Sequence, residues 1–351
     1  MKIKTVIKYL ETIAPPIYQE AYDNAGLIVG DAGLEVTGVL CCLDSTEAII
    51  EEAIEKNCNL IVAHHPIVFK GLKRFNGKNY VERVVIKAIR NNIAIYAIHT
   101  NLDNMLYQGV NTRIAEQLGL VNTRILAPKK NFKKVFAFAD EHIVNELRTA
   151  LFEAGAGELN DQEHISYATL GAGTSDGQGT ARVKLEVLFP IANQNQVQHV
   201  LSKFTATHQI HYDITSVENT NLTIGSGMIG ELSKPMRTKT FLKYLKERMK
   251  VTCIKHTKLV SKTISRVAFC GGAGGFLLRN AIGQQADIFI TADYKYHEFF
   301  DADGKIIIAD IGHYESEQYT IHLLHEVLTE KFSNFASYCT EENTNPISYY
   351  F

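Results

Sequence analysis

Gly38-Val-Leu-Cys-Cys-Leu43 and Asn59-Leu-Ile-Val-Ala-His64-His65-Pro66, separated by a helical stretch, decide the fold. Each apolar run is short and unbroken, the pattern of a strand buried on both faces. Pro66 cannot continue a sheet ladder, so the second strand stops at the histidines. His64 and His65 therefore sit at the carboxyl end of a buried strand, where open α/β sheets bind ligands. Successive strand residues face opposite sides, so both rings reach one site only if the backbone turns there. Further along, Arg266-Val-Ala-Phe-Cys270, Gly271 to Gln285 and Asp287-Ile-Phe-Ile-Thr-Ala-Asp293 repeat the order strand, helix, strand at similar spacing. The two stretches read as related βαβ halves facing each other across a shared site, with His65 opposite Asp293.

The same chemistry recurs at two other strand ends. Ile93-Ala-Ile-Tyr-Ala-Ile98 runs into His99-Thr-Asn-Leu-Asp103, and Ile306-Ile-Ile-Ala-Asp-Ile311 into Gly312-His313-Tyr-Glu-Ser-Glu317. Each pairs a histidine with a carboxylate four residues on. If a helix starts at His313, His313 and Glu317 share one face. A single such pair is common on solvated helix faces. Three histidine-bearing strand ends, with carboxylates at two of them, point to a metal centre, since two imidazoles with carboxylates from elsewhere suit a pair of metal ions.

The 351 residues are enough for two or three domains with sizeable cores. A formal charge of -2 without long charged runs makes nucleic acid and anionic membranes unexpected partners. No apolar stretch approaches bilayer-spanning length. The opening Met1-Lys-Ile-Lys-Thr-Val-Ile-Lys-Tyr-Leu reads as an amphipathic helix, not a signal peptide. The six cysteines lack C-x-x-C spacing and lie mostly in strand-like contexts, as expected of reduced core residues in a cytoplasmic protein.

The fold class expected is α/β, with a discontinuous outer domain at residues 1–128 and 236–351 and an α+β insert at 129–235. Within the insert the reading is β-α-β-β-α-β, a ferredoxin-like order, with a flexible loop over Gly171–Gly179. A helix is expected from about Ser45 to Asn57. Gly271-Gly272-Ala-Gly274-Gly275 reads as a tight turn that permits close backbone approach, with anion binding as the alternative. It lacks the P-loop lysine, and no G-x-S-x-G elbow marks a nucleophilic serine.

Asp23-Asn-Ala-Gly-Leu-Ile-Val-Gly30, Leu43-Asp44-Ser-Thr, His64-His65-Pro-Ile-Val-Phe, His99-Thr-Asn-Leu-Asp103 and Gly312-His313-Tyr-Glu-Ser-Glu317 occur in an order that resembles the NIF-three-like family. Its members are often labelled GTP cyclohydrolase 1 type 2 homologs. Tyr22 stands where the family usually has Trp, and Thr291-Ala-Asp293 replaces Thr/Ser-Gly-Asp. The insert resembles the PII and CutA folds of longer members, carried by Ala154-Gly-Ala-Gly157 and His208-Gln-Ile-His211-Tyr. The resemblance implies two divalent metal ions per chain held by His64, His65, Asp103, His313 and Glu317, with Glu317 or Asp103 bridging. His99 would orient Asp103 or a bound water. Ligation without thiolate is compatible with zinc, iron, manganese or nickel. The resemblance also implies a toroidal homohexamer with the sites facing an interior cavity. Two functions remain open. One is a metal-dependent hydrolase of a nucleotide or related small molecule, with Asp293 and His297 as the catalytic proton carriers. The other is a non-catalytic metal-binding scaffold or regulator.

Overall fold

The computed structural model describes residues 1–160, 162–175 and 178–350. Strands Gly38–Cys42, Leu60–Ala63 and Ala94–Ala97 lie in parallel, every residue buried, because helices cover both faces of unbroken apolar runs. Gly26–Val29 adds antiparallel at one edge and Ala336–Cys339 parallel at the other. The second half repeats the layout. Thr263–Ala273, Ile288–Ala292 and Ile307–Asp310 are parallel neighbours, with antiparallel Lys255–His256 beside the last. Asn221–Arg237 and Leu120–Lys129 complete this six-stranded sheet. In this repeat, the strand before His64 corresponds to the one before Asp293, and the strand before His99 to the one before His313. The protein is thus mixed α/β with several sheets.

The helices follow local signals. Ile3–Ile13 buries Ile3, Val6, Ile7 and Leu10, one stripe at helical spacing. Glu47–Glu55 occupies the stretch expected from Ser45. The Thr46 side chain accepts from Ile49 N at 3.3 Å and caps its first turn. Among the described residues no helix is long and apolar enough to cross a membrane. All six cysteines are free thiols; Cys41, Cys42, Cys58 and Cys270 are buried, whereas Cys253 is exposed.

The chain divides into two compact units, Met1–Ala127 with Ile224–Phe351, and Pro128–Thr223. The return falls at Ile224, earlier than the residue 236 expected from Gly225, Gly227 and Pro235. Those residues lie inside one continuous strand, Asn221–Arg237. Gly227 supplies a positive φ of 61°, and Pro235 sits where the pairing with Thr263–Ala273 shifts register, so the breakers mark an irregular strand. The second unit has the element order β-α-β-β-α-β, with an antiparallel sheet ordered Ser166–Ser175, Gln178–Pro190, Phe132–Ala139, His211–Ser216. Helices Val144–Glu153 and Gln194–His208 bury Leu147, Leu151, Val197 and Leu201 in its core. Where a flexible loop was expected, Gly171–Ser175 pairs with Gln178–Arg182 as a hairpin at the sheet edge, where glycine is tolerated. Asp176 and Gly177 of that stretch lie outside the described residues.

Leu120–Lys129 and Asn221–Arg237 are neighbours in one sheet, which allows a short closure between Ala127 and Ile224. Replacing residues 128–223 with a short Gly/Ser linker should leave the outer unit with a single cooperative denaturant transition. Loss of that transition in circular dichroism would show that the two units depend on one another for folding.

Candidate metal centre

The strand ladder runs one step past Ala63. The amides of His64 and His65 donate to the carbonyls of Cys42 and Leu43 at 3.1 and 2.9 Å, and Pro66 then ends the pairing. The chain turns there, and the two rings lie 4.8 Å apart between centroids. His64 Nδ1 donates to the Ile98 carbonyl at 2.8 Å, which leaves the Nε2 lone pair available. That atom faces Asp103 Oδ1 at 3.5 Å and Glu317 Oε1 at 3.8 Å. Among the described residues, His64 Nε2 and Asp103 Oδ1 are buried without a hydrogen-bond partner. Such atoms are costly to bury unless something else satisfies them.

Glu317 stands at the centre. The short helix His313–Glu317 puts both ligand-type residues on one face, with the Glu317 side chain 3% exposed. Its Oε2 lies 3.0 Å from His65 Nε2 and 3.1 Å from His313 Nε2, and these two ring nitrogens are 3.3 Å apart. Of three candidate donor groups among the described residues, two share this carboxylate, His65 with His313 and Glu317, and His64 with Asp103 and Glu317; the third is His64, His65 and His99. The glycine-rich stretch, expected as a tight turn, instead ends the strand Thr263–Ala273 as an irregularity with Gly272 at a φ of 61°, and it makes room for Glu317. A Cβ on Gly272 would come within 2.5 Å of Glu317 Oε1 and 3.2 Å of the His313 ring, and one on Gly271 within 3.3 Å of Glu317 Cγ.

Behind the histidines stand further carboxylates. His65 Nδ1 donates to Asp44 at 2.8 Å, His99 Nδ1 to Asp23 at 2.7 Å and His313 Nδ1 to Asp293 at 2.7 Å. Such pairs fix the ring and raise its basicity as a ligand. Burial alone would lower the pKa of His65, but its bonds to Asp44 and Glu317 outweigh this and raise it to about 10. For His313 burial again opposes, and the Glu317 charge with the Asp293 bond raises the pKa to about 11. Burial, then the neighbouring Glu317 charge, lifts Asp103 to about 7. In the protein alone the cluster thus holds protons that a cation must displace. Asp310, 1% exposed, accepts from the amides of Tyr294 and Gly312 at 3.1 Å each. It thereby fastens both loops that carry Asp293 and His313.

All five residues implied as ligands by resemblance converge here. His99 joins them, its ring 5.3 Å from those of His64 and His65, but it is held by Asp23 rather than by Asp103. The two residues expected to carry protons separate. Asp293 lines the cavity, but its bond from His313 keeps its carboxyl below the usual range, which suits holding a ring more than donating protons. His297 is exposed, packs edge-on against Tyr296 and does not line the cavity. It lies in the 3-10 segment Tyr296–Ala302, which carries it away from Asp293's side of the cavity lining. Asp23 and Asp44 were missed as partners, although Asp44 follows a buried strand just as Asp293 does. Asp293→Asn should therefore weaken metal binding about 10- to 100-fold, the scale for partners behind a ligand. His297→Ala should leave metal content unchanged. Competition with a chelating dye tests both, and an unaltered affinity in Asp293→Asn would refute its positioning role.

The cluster opens into a cavity of about 540 Å³ within the outer unit, walled also by Tyr22, Phe69 and Phe276. This geometry defines a mixed α/β protein with a candidate histidine–carboxylate metal centre at the carboxyl ends of strands from two sheets. The model of the Duf34/NIF3 (NGG1p interacting factor 3) family matches residues 1–346, and the chain belongs to that family. A Staphylococcus epidermidis protein named GTP cyclohydrolase 1 type 2 homolog is 31% identical, the match covering 99% of this chain and 100% of that one. A Bacillus subtilis protein of the same name is 29% identical, over 98% and 97%. The crystal structure of a Bacillus cereus protein related to NIF3 superposes with a TM-score of 0.83 at 31% identity, covering 100% of this chain and 99% of the other.

Proposed function

We propose that the chain binds two divalent ions and is a metal-dependent hydrolase of a small ring-bearing molecule, a nucleotide or a relative of one. The observation that carries this reading is the division of Glu317, whose Oε1 faces His64 and whose Oε2 faces His65 and His313. His64, Asp103 and Glu317 would hold one ion, and His65, His313 and Glu317 the other. The donors fit such ions: neutral imidazoles and carboxylates without thiolate suit zinc, iron, manganese or nickel. Ions bound there would acidify a water to near-neutral pKa and polarise the scissile bond.

The chain's own residues divide the remaining work. Asp44 and Asp293 hold the rings of His65 and His313. His99, anchored by Asp23 through Nδ1, has its other ring nitrogen for proton transfer in the cavity. Tyr22, Phe69 and Phe276 supply apolar walls beside the site. His99→Asn in metal-loaded protein should keep both ions and lower turnover roughly a hundredfold or more, on the scale of positioned proton transfer. A panel of nucleotides and pterins, assayed with and without chelator, supplies the substrate. Loss of an ion in His99→Asn would make it a ligand instead, and a panel without metal-dependent turnover would favour the scaffold.

We read the second unit as a ferredoxin-like, PII/CutA-like domain, supported by its element order and antiparallel sheet. The assembly we propose is the homohexamer, to be checked by light scattering against the mass of 39.2 kDa per chain.

A further inference from the structure

We infer that the cavity receives a flat heteroaromatic ring that is neutral or cationic, and that it disfavours a ring carrying a triphosphate. The inference rests on the reading that this same cavity holds the metal ions. Its walls supply the first half. Tyr22, Phe69, Phe276 and Ile347 are 71%, 53%, 67% and 51% exposed, yet all four line this one cavity. Large side chains left in water around a polar centre mark a ligand surface. Aromatic faces stack on heteroaromatic rings with little regard to ring identity. Phe69 meets His99 edge-on at 5.8 Å, so the aromatic wall reaches the cluster itself.

Charge supplies the second half. Five carboxylates line the cavity, those of Glu20, Asp44, Asp103, Asp293 and Glu317. Among the described lining residues there is no lysine or arginine, the usual partners of phosphate. Two divalent ions would leave the carboxylates one charge in excess. The glycine-rich stretch does not make up the deficit. The amides of Gly271, Gly272 and Gly274 already donate to Asn111, Ser316 and Thr291 at 3.0, 2.9 and 2.8 Å. A phosphate cradle needs amides that are unengaged. A polyanion could pair only with the ions and would face the carboxylates in excess of them, while a neutral or cationic ring stacks on the aromatic faces without that repulsion.

Calorimetric titration of the full zinc-loaded chain with guanosine, GMP, GTP and free pterin in magnesium buffer tests this. Affinity should fall with each added phosphate, with guanosine or pterin bound at least tenfold tighter than GTP and the gap narrowing at high salt. Phe276→Ala removes an exposed side chain and should weaken ring binding roughly tenfold at unchanged metal content. GTP binding as tightly as the uncharged rings, or Phe276→Ala binding them as well as the parent, overturns the inference while leaving the metal centre standing. A chain that retains no zinc overturns the metal reading and this inference with it.

Discussion

Replacing Glu317 with glutamine is expected to remove both metal ions, where loss of His64 should remove only one. Glu317 is the one residue common to the two carboxylate-bearing donor groups, and each of its oxygens faces a different histidine set. An amide keeps the volume but presents one oxygen and one NH2 group, so one of the two groups must lose its donor. The negative charge that offsets two cations in a buried site disappears as well. In elemental analysis of reconstituted protein, Glu317→Gln should fall from up to two ions per chain to almost none. Affinity should drop by ~100-fold or more, beyond what loss of a partner behind a ligand produces. His64→Ala should keep the ion facing His65 and His313. Two ions retained in Glu317→Gln would rule out the shared carboxylate.

The second large effect is expected from a methyl group. Gly272 has a φ of 61° and lies against Glu317 and His313. Alanine there meets the backbone cost of the left-handed region, roughly 1–2 kcal/mol, and its Cβ would stand 2.5 Å from Glu317 Oε1. Something must shift, and Glu317 is the group in the way. Gly272→Ala should therefore lose metal affinity tenfold or more and lower the melting temperature by several degrees. Gly283 is the control: a Cβ there meets nothing within 4 Å, so alanine should leave metal binding intact. Equal metal affinity in the two variants would mean that Gly272 does not shape the site.

The strands were legible because burial on both faces demands unbroken apolar runs, and Gly38–Cys42, Leu60–Ala63 and Ala94–Ala97 have nothing else. The candidate donor cluster was legible because its histidines stand just past the ends of such runs. What sequence could not disclose was pairing over long separations. Asp23 reaches His99 and Asp44 reaches His65 through neighbouring strand ends, and no spacing rule connects them. Asp293 and His297 are set apart by local structure that spacing does not reveal, Asp293 in the cavity lining and His297 outside it. Their four-residue spacing matches His313–Glu317, but a 3-10 turn follows Asp293 where an α-helix follows Gly312. The breakers Gly225, Gly227 and Pro235 misplaced a boundary because an irregular strand uses the same residues as a linker.

Because the centre draws on Asp103 and Glu317, it has a history in time as well as a shape. During synthesis His64, His65 and Asp103 leave the ribosome first, and the chain must grow by roughly 200 residues, about 10 to 40 s of translation, before Glu317 arrives. Until then a nascent chain offers an incomplete and weak half-site. On the proposed two-ion reading, full loading would be a late event, and a cell short of the right ion would accumulate finished but metal-poor chains, not truncated ones.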